Sequence, residues 1–254
     1  IKVIDIHKSF GEEAVLKGIS TTFEKGKTNI IIGQSGSGKT VFMKCLLGLF
    51  EPDSGEIIYE GTAIHDMNKD EKSDLRKQMG MLFQGGALFD SMNIEENVMF
   101  PLLMFSKKSK SEMLDRVNEV LKRVNLLNVN KKLPAEISGG MQKRVAIARA
   151  IVNNPKYLFC DEPNSGLDPR TATVIDNLIQ EITEEYDITT VVNTHDMNSV
   201  MEIGETIIFL KDGKLMWKGN KHQIFKTDNE AVTDFVYSSE LFKKIRVAQN
   251  IESK

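Results

Sequence analysis

Several features that would place a protein quickly are scarce in this 254-residue chain. Its two cysteines, Cys45 and Cys160, stand far apart with no CxxC or Cys/His spacing, which argues against a disulfide framework or a zinc site. Both sit in apolar stretches and read as small core residues. No charge of one sign dominates: the net charge is −3 and the pI about 5.9, so there is no electrostatic case for a nucleic-acid partner. Long hydrophobic runs are missing too. The longest, VMFPLLMF at residues 98–105, falls far short of the roughly 20 residues that span a bilayer. If the protein acts at a membrane, another chain must do the crossing. The opening IKVIDI lacks the charged-then-apolar pattern of a secretory signal, so none is expected. Internal repeats, low-complexity tracts and proline-rich linkers are likewise missing from a chain with six prolines.

What is present is an ordinary globular composition, 41% hydrophobic and 27% charged. The length suits one α/β domain with a sizeable core, or a core plus a small subdomain. Residues 1–6 alternate apolar and polar, as a half-buried strand does. The runs TNIIIG (28–33), GMLF (80–83), YLFCD (157–161), TTVVN (189–193) and TIIFL (206–210) read as short buried strands. Helical patterns separate them, which predicts a mostly parallel sheet. VFMKCLLGLF, after the first of these runs, reads as a helix that ends at a PDSG turn. Met113, Val117, Val120, Leu121, Val124 and Leu127 form one helical stripe, and Ser109 with Glu112 forms a capping box before it. A largely helical segment, about residues 87–152, is therefore expected as an insertion into a unit spanning 1–228. Residues 229–254 read as an added helix with Val232, Phe235, Val236 and Leu241 on its apolar face. Its Lys243, Lys244 and Arg246 read as a solvated helix end.

The chemistry is concentrated in two places. GQSGSGKT at residues 33–40 fits G-x-x-x-x-G-K-[ST] and lies between a predicted strand and a predicted helix. Gly33, Gln34, Ser35, Gly36, Ser37 and Gly38 would fold their amides around phosphate oxygens, helped by the positive end of the helix. Lys39 should reach the β- and γ-phosphates, and Thr40 should place its hydroxyl on Mg²⁺. The second place is YLFCDEP, where a hydrophobic strand ends in two acids. Asp161 suits the Mg²⁺ shell and Glu162 suits a general base for water attacking the γ-phosphate. A P-loop alone does not choose among kinases, GTPases, motor ATPases and transporters, although no NKxD guanine motif appears.

ISGGMQKRVAIARA at residues 137–150 resembles the signature of ATP-binding cassette (ABC) ATPases. With the P-loop and CDEPNSGLD the resemblance covers nearly the whole chain, from FGEEAVLKGIS (10–20) to KLMWKG (214–219). It implies a P-loop NTPase core with a small antiparallel β subdomain and an inserted helical subdomain. Ser138, Gly139 and Gly140 would bind the γ-phosphate of ATP held by a second copy, so a head-to-tail homodimer enclosing two ATPs is implied. Gln84 matches the Q-loop glutamine, near Mg²⁺ and the attacking water, and Asp168 in SGLD the D-loop aspartate coupling the two sites. His195 in VVNTHD matches the switch histidine, and Phe10 the aromatic that stacks on adenine. One departure stands out. Met141 occupies the position of a signature glutamine and cannot make its hydrogen bonds, and Gln142 points about 100° away on a helix.

Within the family, FQGGALFDSMNIEENVMFPL followed by SGGM resembles the ATPases of MCE-type phospholipid transporters, the Mla group. That resemblance implies membrane permease subunits as partners, an MCE-domain protein in the complex, and a place on the cytoplasmic face of the inner membrane. The stretch after Gln84 would receive a short permease helix, and residues 225–251 could meet a partner ATPase. The alternative is an importer ATPase for a polar solute such as an amino acid. A soluble relative acting in DNA repair or translation would carry a long coiled-coil insertion or two cassettes, which this sequence does not show. A nucleotide-binding scaffold without hydrolysis would not need Lys39, Gln84, Glu162 and His195 together.

Overall fold

A computed structural model describes residues 1–238. Two sheets organise them. The larger has six strands in the order β10-β9-β3-β8-β7-β6. These are β3 Thr28–Ile32, β6 Met79–Leu82, β7 Tyr157–Asp161, β8 Thr189–Asn193, β9 Thr206–Lys211 and β10 Lys214–Gly219. All neighbours are parallel except β10, which pairs antiparallel with β9. The smaller sheet is antiparallel, β2-β1-β4-β5, from β1 Lys2–Phe10, β2 Glu13–Thr22, β4 Ser54–Tyr59 and β5 Thr62–Ala63.

The continuous apolar runs of the central strands follow from a sheet covered on both faces. Successive side chains leave on opposite sides. Ile30 and Ile32, Leu158 and Cys160, Val192, and Ile207 and Phe209 enter one core. Ile31, Tyr157 and Phe159, Val191, and Ile208 and Leu210 enter the other. The second core is closed by the small sheet and by α1 Lys39–Leu46 through Phe42, Met43 and Leu46. The first is closed by α3 Ile94–Phe105, α4 Lys110–Arg123, α5 Gly139–Ile151, α6 Pro169–Glu185, α7 Met197–Ile203 and α8 Glu230–Val236; α2 Lys69–Lys77 lies against β6. Each fully buried Ile or Phe of these faces contributes on the order of 1.5–3 kcal/mol. Both cysteines are buried, and burial pushes the Cys45 thiol up to about 11 and Cys160 higher still, as the core reading of these residues requires.

Helices α3, α4 and α5 occupy the stretch where the helical insertion is expected. Ser109 caps α4 with Glu112 in the reciprocal arrangement read from the sequence. The stripe is corrected at its end. Helix α4 stops at Arg123, and Asn125 turns left-handed at φ 56°. The turn shifts the register by one, so Leu126 is buried and Leu127 is exposed. At the other end Asn229 caps α8, whose Val232 and Val236 are buried with Phe235 packed beside them. Leu241, Lys243, Lys244, Arg246 and the rest of the extension lie outside the described residues. No helix among the described residues is long and apolar enough to cross a membrane.

Candidate active site

Because β3, β8 and β7 are adjacent and parallel, their C-terminal ends share one edge of the sheet. At or just past those ends stand the P-loop, His195 and the pair Asp161–Glu162, Asp161 being the last residue of β7. The amide of Thr194 donates to the Ile31 carbonyl at 3.1 Å, and that of Glu162 to the Asn193 carbonyl at 3.0 Å, so the ladder continues into the site.

In the P-loop, Gly38 caps α1 at φ 98°, a conformation open to glycine. A Cβ there would also lie 3.2 Å from the Val15 carbonyl. Lys39 is buried and folds back, donating to the Gly33 and Gln34 carbonyls at 2.8 and 3.0 Å. Burial draws its pKa down while Glu162 and Asp161 draw it up, which places both acids within electrostatic reach of the ammonium. Gln34, Ser35, Gly36 and Thr40 are exposed.

Glu162 stands at φ 49°, an unusual conformation for a residue with a side chain, and turns sharply off the end of β7. Its Oε1 lies 2.9 Å from His195 Nδ1. Asp161 accepts from Asn193 Nδ2 at 3.1 Å. Gln84 reaches the same loop from β6, with Nε2 3.5 Å from Ser165 Oγ. The sheet edge thus gathers Lys39, Gln84, Asp161, Glu162 and His195.

The signature residues lie elsewhere. Ser138 caps α5, accepting from the Met141 amide at 3.3 Å, and Asp168 caps α6, accepting from the Thr171 amide at 3.0 Å. The Thr171 hydroxyl, 2.5 Å from the Asp168 carboxyl, and then the Thr171 amide hold that carboxyl below its ordinary range. Ser138, Gly139, Gly140 and Asp168 line one cavity of about 460 Å³ together with Arg144 and Arg170, and no P-loop residue borders it. Gly140 permits this approach, since a Cβ would sit 2.6 Å from Thr171 Cγ2. Phe10, expected to stack on adenine, is exposed; its ring meets Phe50 edge-on at 5.4 Å, with Lys8 5.6 Å away. Met141 turns its side chain to the core, and Gln142 ties down the Pro134 and Ile137 carbonyls at 2.9 and 3.4 Å.

Among the described residues no cluster of three or more His, Cys, Asp or Glu stands ready for a metal. With Glu162 and His195 engaged with each other, the groups expected to reach Mg²⁺ are one carboxylate (Asp161), one hydroxyl (Thr40) and one amide (Gln84). Such a sparse, all-oxygen set suits Mg²⁺ completed by nucleotide phosphates rather than a cation caged by protein. Two buried polar atoms nearby, Ser37 Oγ and Asn193 Oδ1, have no hydrogen-bond partner among the described residues, which also suits a polar ligand.

Sequence reading missed the residues that hold the loop after Gln84. Lys143 of α5 donates to the Gln84 carbonyl, and Arg149 donates to those of Gly86 and Ala87 at 2.6 and 2.8 Å. Asn97, fully buried, donates to the Phe89, Met92 and Asn93 carbonyls and accepts from the Phe89 amide at 2.8 Å. A cation inside the apolar run VAIARA was the visible signal for Arg149. Beside this loop a groove of about 370 Å³ is lined by Phe83, Phe89, Phe100, Pro101, Phe105 and Arg149, among others.

The sequence profile described as ABC transporter matches residues 16–165. The chain belongs to the ABC transporter family, as its ATP-binding cassette. It is 39% identical over 236 residues to the probable ribonucleotide transport ATP-binding protein mkl of Mycobacterium tuberculosis, covering 93% of this chain and 66% of that protein. The chain thus spans just under two thirds of that relative. To the methionine import ATP-binding protein MetN of Clostridium tetani it is 41% identical over 241 residues, 95% of this chain and 76% of the relative. To the chloroplastic protein TRIGALACTOSYLDIACYLGLYCEROL 3 of Arabidopsis thaliana it is 37% identical over 256 residues, 94% and 74%. The dimeric post-hydrolysis structure of the ATP-binding cassette MJ0796, bound to ADP and Pi, superimposes with a TM-score of 0.78 at 34% identity over 87% of this chain and 98% of that one.

Proposed function

We propose that this cassette hydrolyses ATP to drive phospholipid, or a related hydrophobic cargo, through a separate membrane permease. The observation that carries the hydrolytic reading is the Glu162–His195 pair at 2.9 Å, on the sheet edge that also bears Lys39. In this reading Glu162 accepts the proton of a water attacking the γ-phosphate. His195, bonded to the same carboxylate, fixes its direction, and Gln84 orients the water. Lys39 exchanges its bonds to Gly33 and Gln34 for phosphate oxygens. Thr40, Gln84 and Asp161 would hold Mg²⁺, which supplies neutralising charge at the β- and γ-phosphates. The turn at Ser138–Gly140 serves ATP on a second copy, and the dimeric state of the MJ0796 cassette supports that arrangement.

The aromatic groove next to Gln84 is read as the seat of a short permease helix, because Lys143 and Arg149 tie its rim to the signature helix. The working place is then the cytoplasmic face of the inner membrane, with an MCE-domain protein completing the complex. The lipid cargo rests on the resemblance of residues 83–102 with SGGM to the Mla group, and on a relative whose name carries a glycolipid. The MetN likeness favours a second reading, import of a polar solute such as an amino acid. Isolation of this chain from detergent-solubilised native membranes, with mass spectrometry of bound proteins and lipids, separates the two. A permease with an MCE-domain protein and phospholipid supports the first. A permease with a solute-binding protein overturns the lipid claim and leaves the hydrolytic one.

A further inference from the structure

Asn164 lies two residues beyond Glu162, and its side chain turns away from the nucleotide edge into the protein. Its Nδ2 donates to Asp176 Oδ1 of α6 at 2.7 Å and to Ser199 Oγ of α7 at 3.0 Å. Asp176 is 2% exposed and Ser199 fully buried. The Ser199 hydroxyl also bonds the Asp176 carboxyl, so three side chains from three segments close on one another. Each segment carries part of the site. Asn164 sits in the loop from Glu162 to Asp168, in which Ser165 N bonds the Glu162 carbonyl at 3.1 Å and Leu167 N bonds the Asn164 carbonyl at 3.1 Å. Helix α6 starts from Asp168, and α7 starts from Asp196, the residue after His195.

We propose that Asn164, Asp176 and Ser199 form a clasp that sets the separation of Glu162 and His195, making them positioning residues for ATP hydrolysis. The inference rests on the reading of Glu162 as the base. The linkage is short: Glu162 and His195 touch, Asn164 is tied to the backbone turn that aims Glu162, and Ser199 fixes the first turn of the helix that His195 leads into. Packing alone does not account for an acid here. Among the described residues, the charged and titratable groups acting on Asp176, namely Asp196 at the cap of α7, Glu202 of α7 and Cys160 of β7, include no cation, and burial pushes its carboxyl up to about 6. An apolar side chain would be the cheaper filler of this space. What the carboxylate supplies is two directed acceptors, and direction is what the Glu162 turn requires, since misplacing a reacting group by about 1 Å costs up to roughly a hundredfold in rate.

The test is ATP turnover by the full chain, assembled with its permease where turnover requires it, for Asn164→Ala, Ser199→Ala, Asp176→Asn and Glu162→Gln. Removing Asn164 should lower kcat about tenfold and leave KM for ATP within about twofold, because the clasp touches no nucleotide. Ser199→Ala, which deletes one oxygen and is the safer variant for folding, should move kcat in the same direction. Asp176→Asn keeps an oxygen facing Asn164 but removes the acceptor for the Ser199 hydroxyl, so its loss of kcat should fall between the parent and Asn164→Ala. Unchanged kcat in both alanine variants, or a loss appearing in KM, overturns the clasp. Glu162→Gln separates the two levels. If it turns over like the parent, the base assignment fails. If it is inactive while Asn164→Ala is normal, the clasp alone fails.

Discussion

Glu162 combines strain with contact. Its φ of 49° costs on the order of 1 kcal/mol, and the return is a carboxylate 2.9 Å from His195 rather than one continuing the strand direction. If that carboxylate takes the proton of the attacking water, Glu162→Gln keeps shape and nucleotide binding but removes the basicity. The expected fall in kcat is about 10²–10⁴, read by phosphate release, and parental turnover would sink the assignment. Asp176 makes a second residue-scale case, through stability. Its folded pKa of about 6 lies above the ordinary value of 3.8, chiefly through burial. A raised carboxyl pKa contributes stability that is complete below the unfolded value and is lost as pH rises through the folded one. Between pH 4 and pH 7 the native state should therefore lose about 2 kcal/mol through this residue. Asp176→Asn removes that loss. The variant should be more stable than the parent in urea at pH 8, by up to about 3 kcal/mol, and the gap should close near pH 4. An equal gap at both pH values would show that packing, not ionisation, sets the difference.

At the scale of elements, helix α5 connects two regions that the sequence separates. Its first turn presents Ser138–Gly140 to the cavity beside Asp168, and its Lys143 and Arg149 hold the carbonyls of Gln84, Gly86 and Ala87. Arg149 is desolvated enough that its pKa is lowered, and its guanidinium also lies 5.9 Å from the Phe89 ring. Arg149→Ala should release the loop. Amides of residues 85–89 should exchange with deuterium at least about tenfold faster, while those of β3 keep their protection. Equal acceleration in both would instead report global destabilisation. The same helix shows what could be read in advance. Strands β3, β7 and β8 are legible because each is a short β-branched or aromatic run with no charged residue before its end, and the P-loop and CDEP motifs follow directly from strand ends. The α4 capping box was legible because both partners are three residues apart. Arg149 and its acceptors are 62 and 63 positions apart, and Asn164 and Ser199 are 35 apart, so no local pattern announces them. Leu127 was misplaced for a related reason: one left-handed residue, Asn125, ends the helical period, and periodicity carries no warning of it.

At the scale of the whole molecule, the two groups of candidate phosphate-binding residues do not share one cavity. Lys39, Gln84, Asp161, Glu162 and His195 share one sheet edge, whereas Ser138–Gly140 line a cavity with residues 166–175 that no P-loop residue borders. If Ser138–Gly140 bind phosphate as proposed, a single copy offers ligands that share no cavity with its own P-loop. A helix N-terminus with free amides next to Arg144 and Arg170 is a favourable seat for an anion, and the γ-phosphate on a second copy would supply one. Two copies related by a two-fold axis satisfy both sites at once, whereas any open arrangement leaves one P-loop without its partner. The dimer should then be held together by ATP itself. In Glu162→Gln, where hydrolysis no longer discharges the sandwich, size-exclusion chromatography with light scattering should show a dimer with ATP and a monomer with ADP. Adding Ser138→Arg, which removes only the α5 cap and places a bulky side chain in the cavity, should return the ATP-bound protein to monomer. Its affinity for ATP should stay close to the parent's, because the P-loop is untouched. A double variant that still dimerises with ATP would mean that the copies associate through some other face, and the head-to-tail arrangement would have to be abandoned.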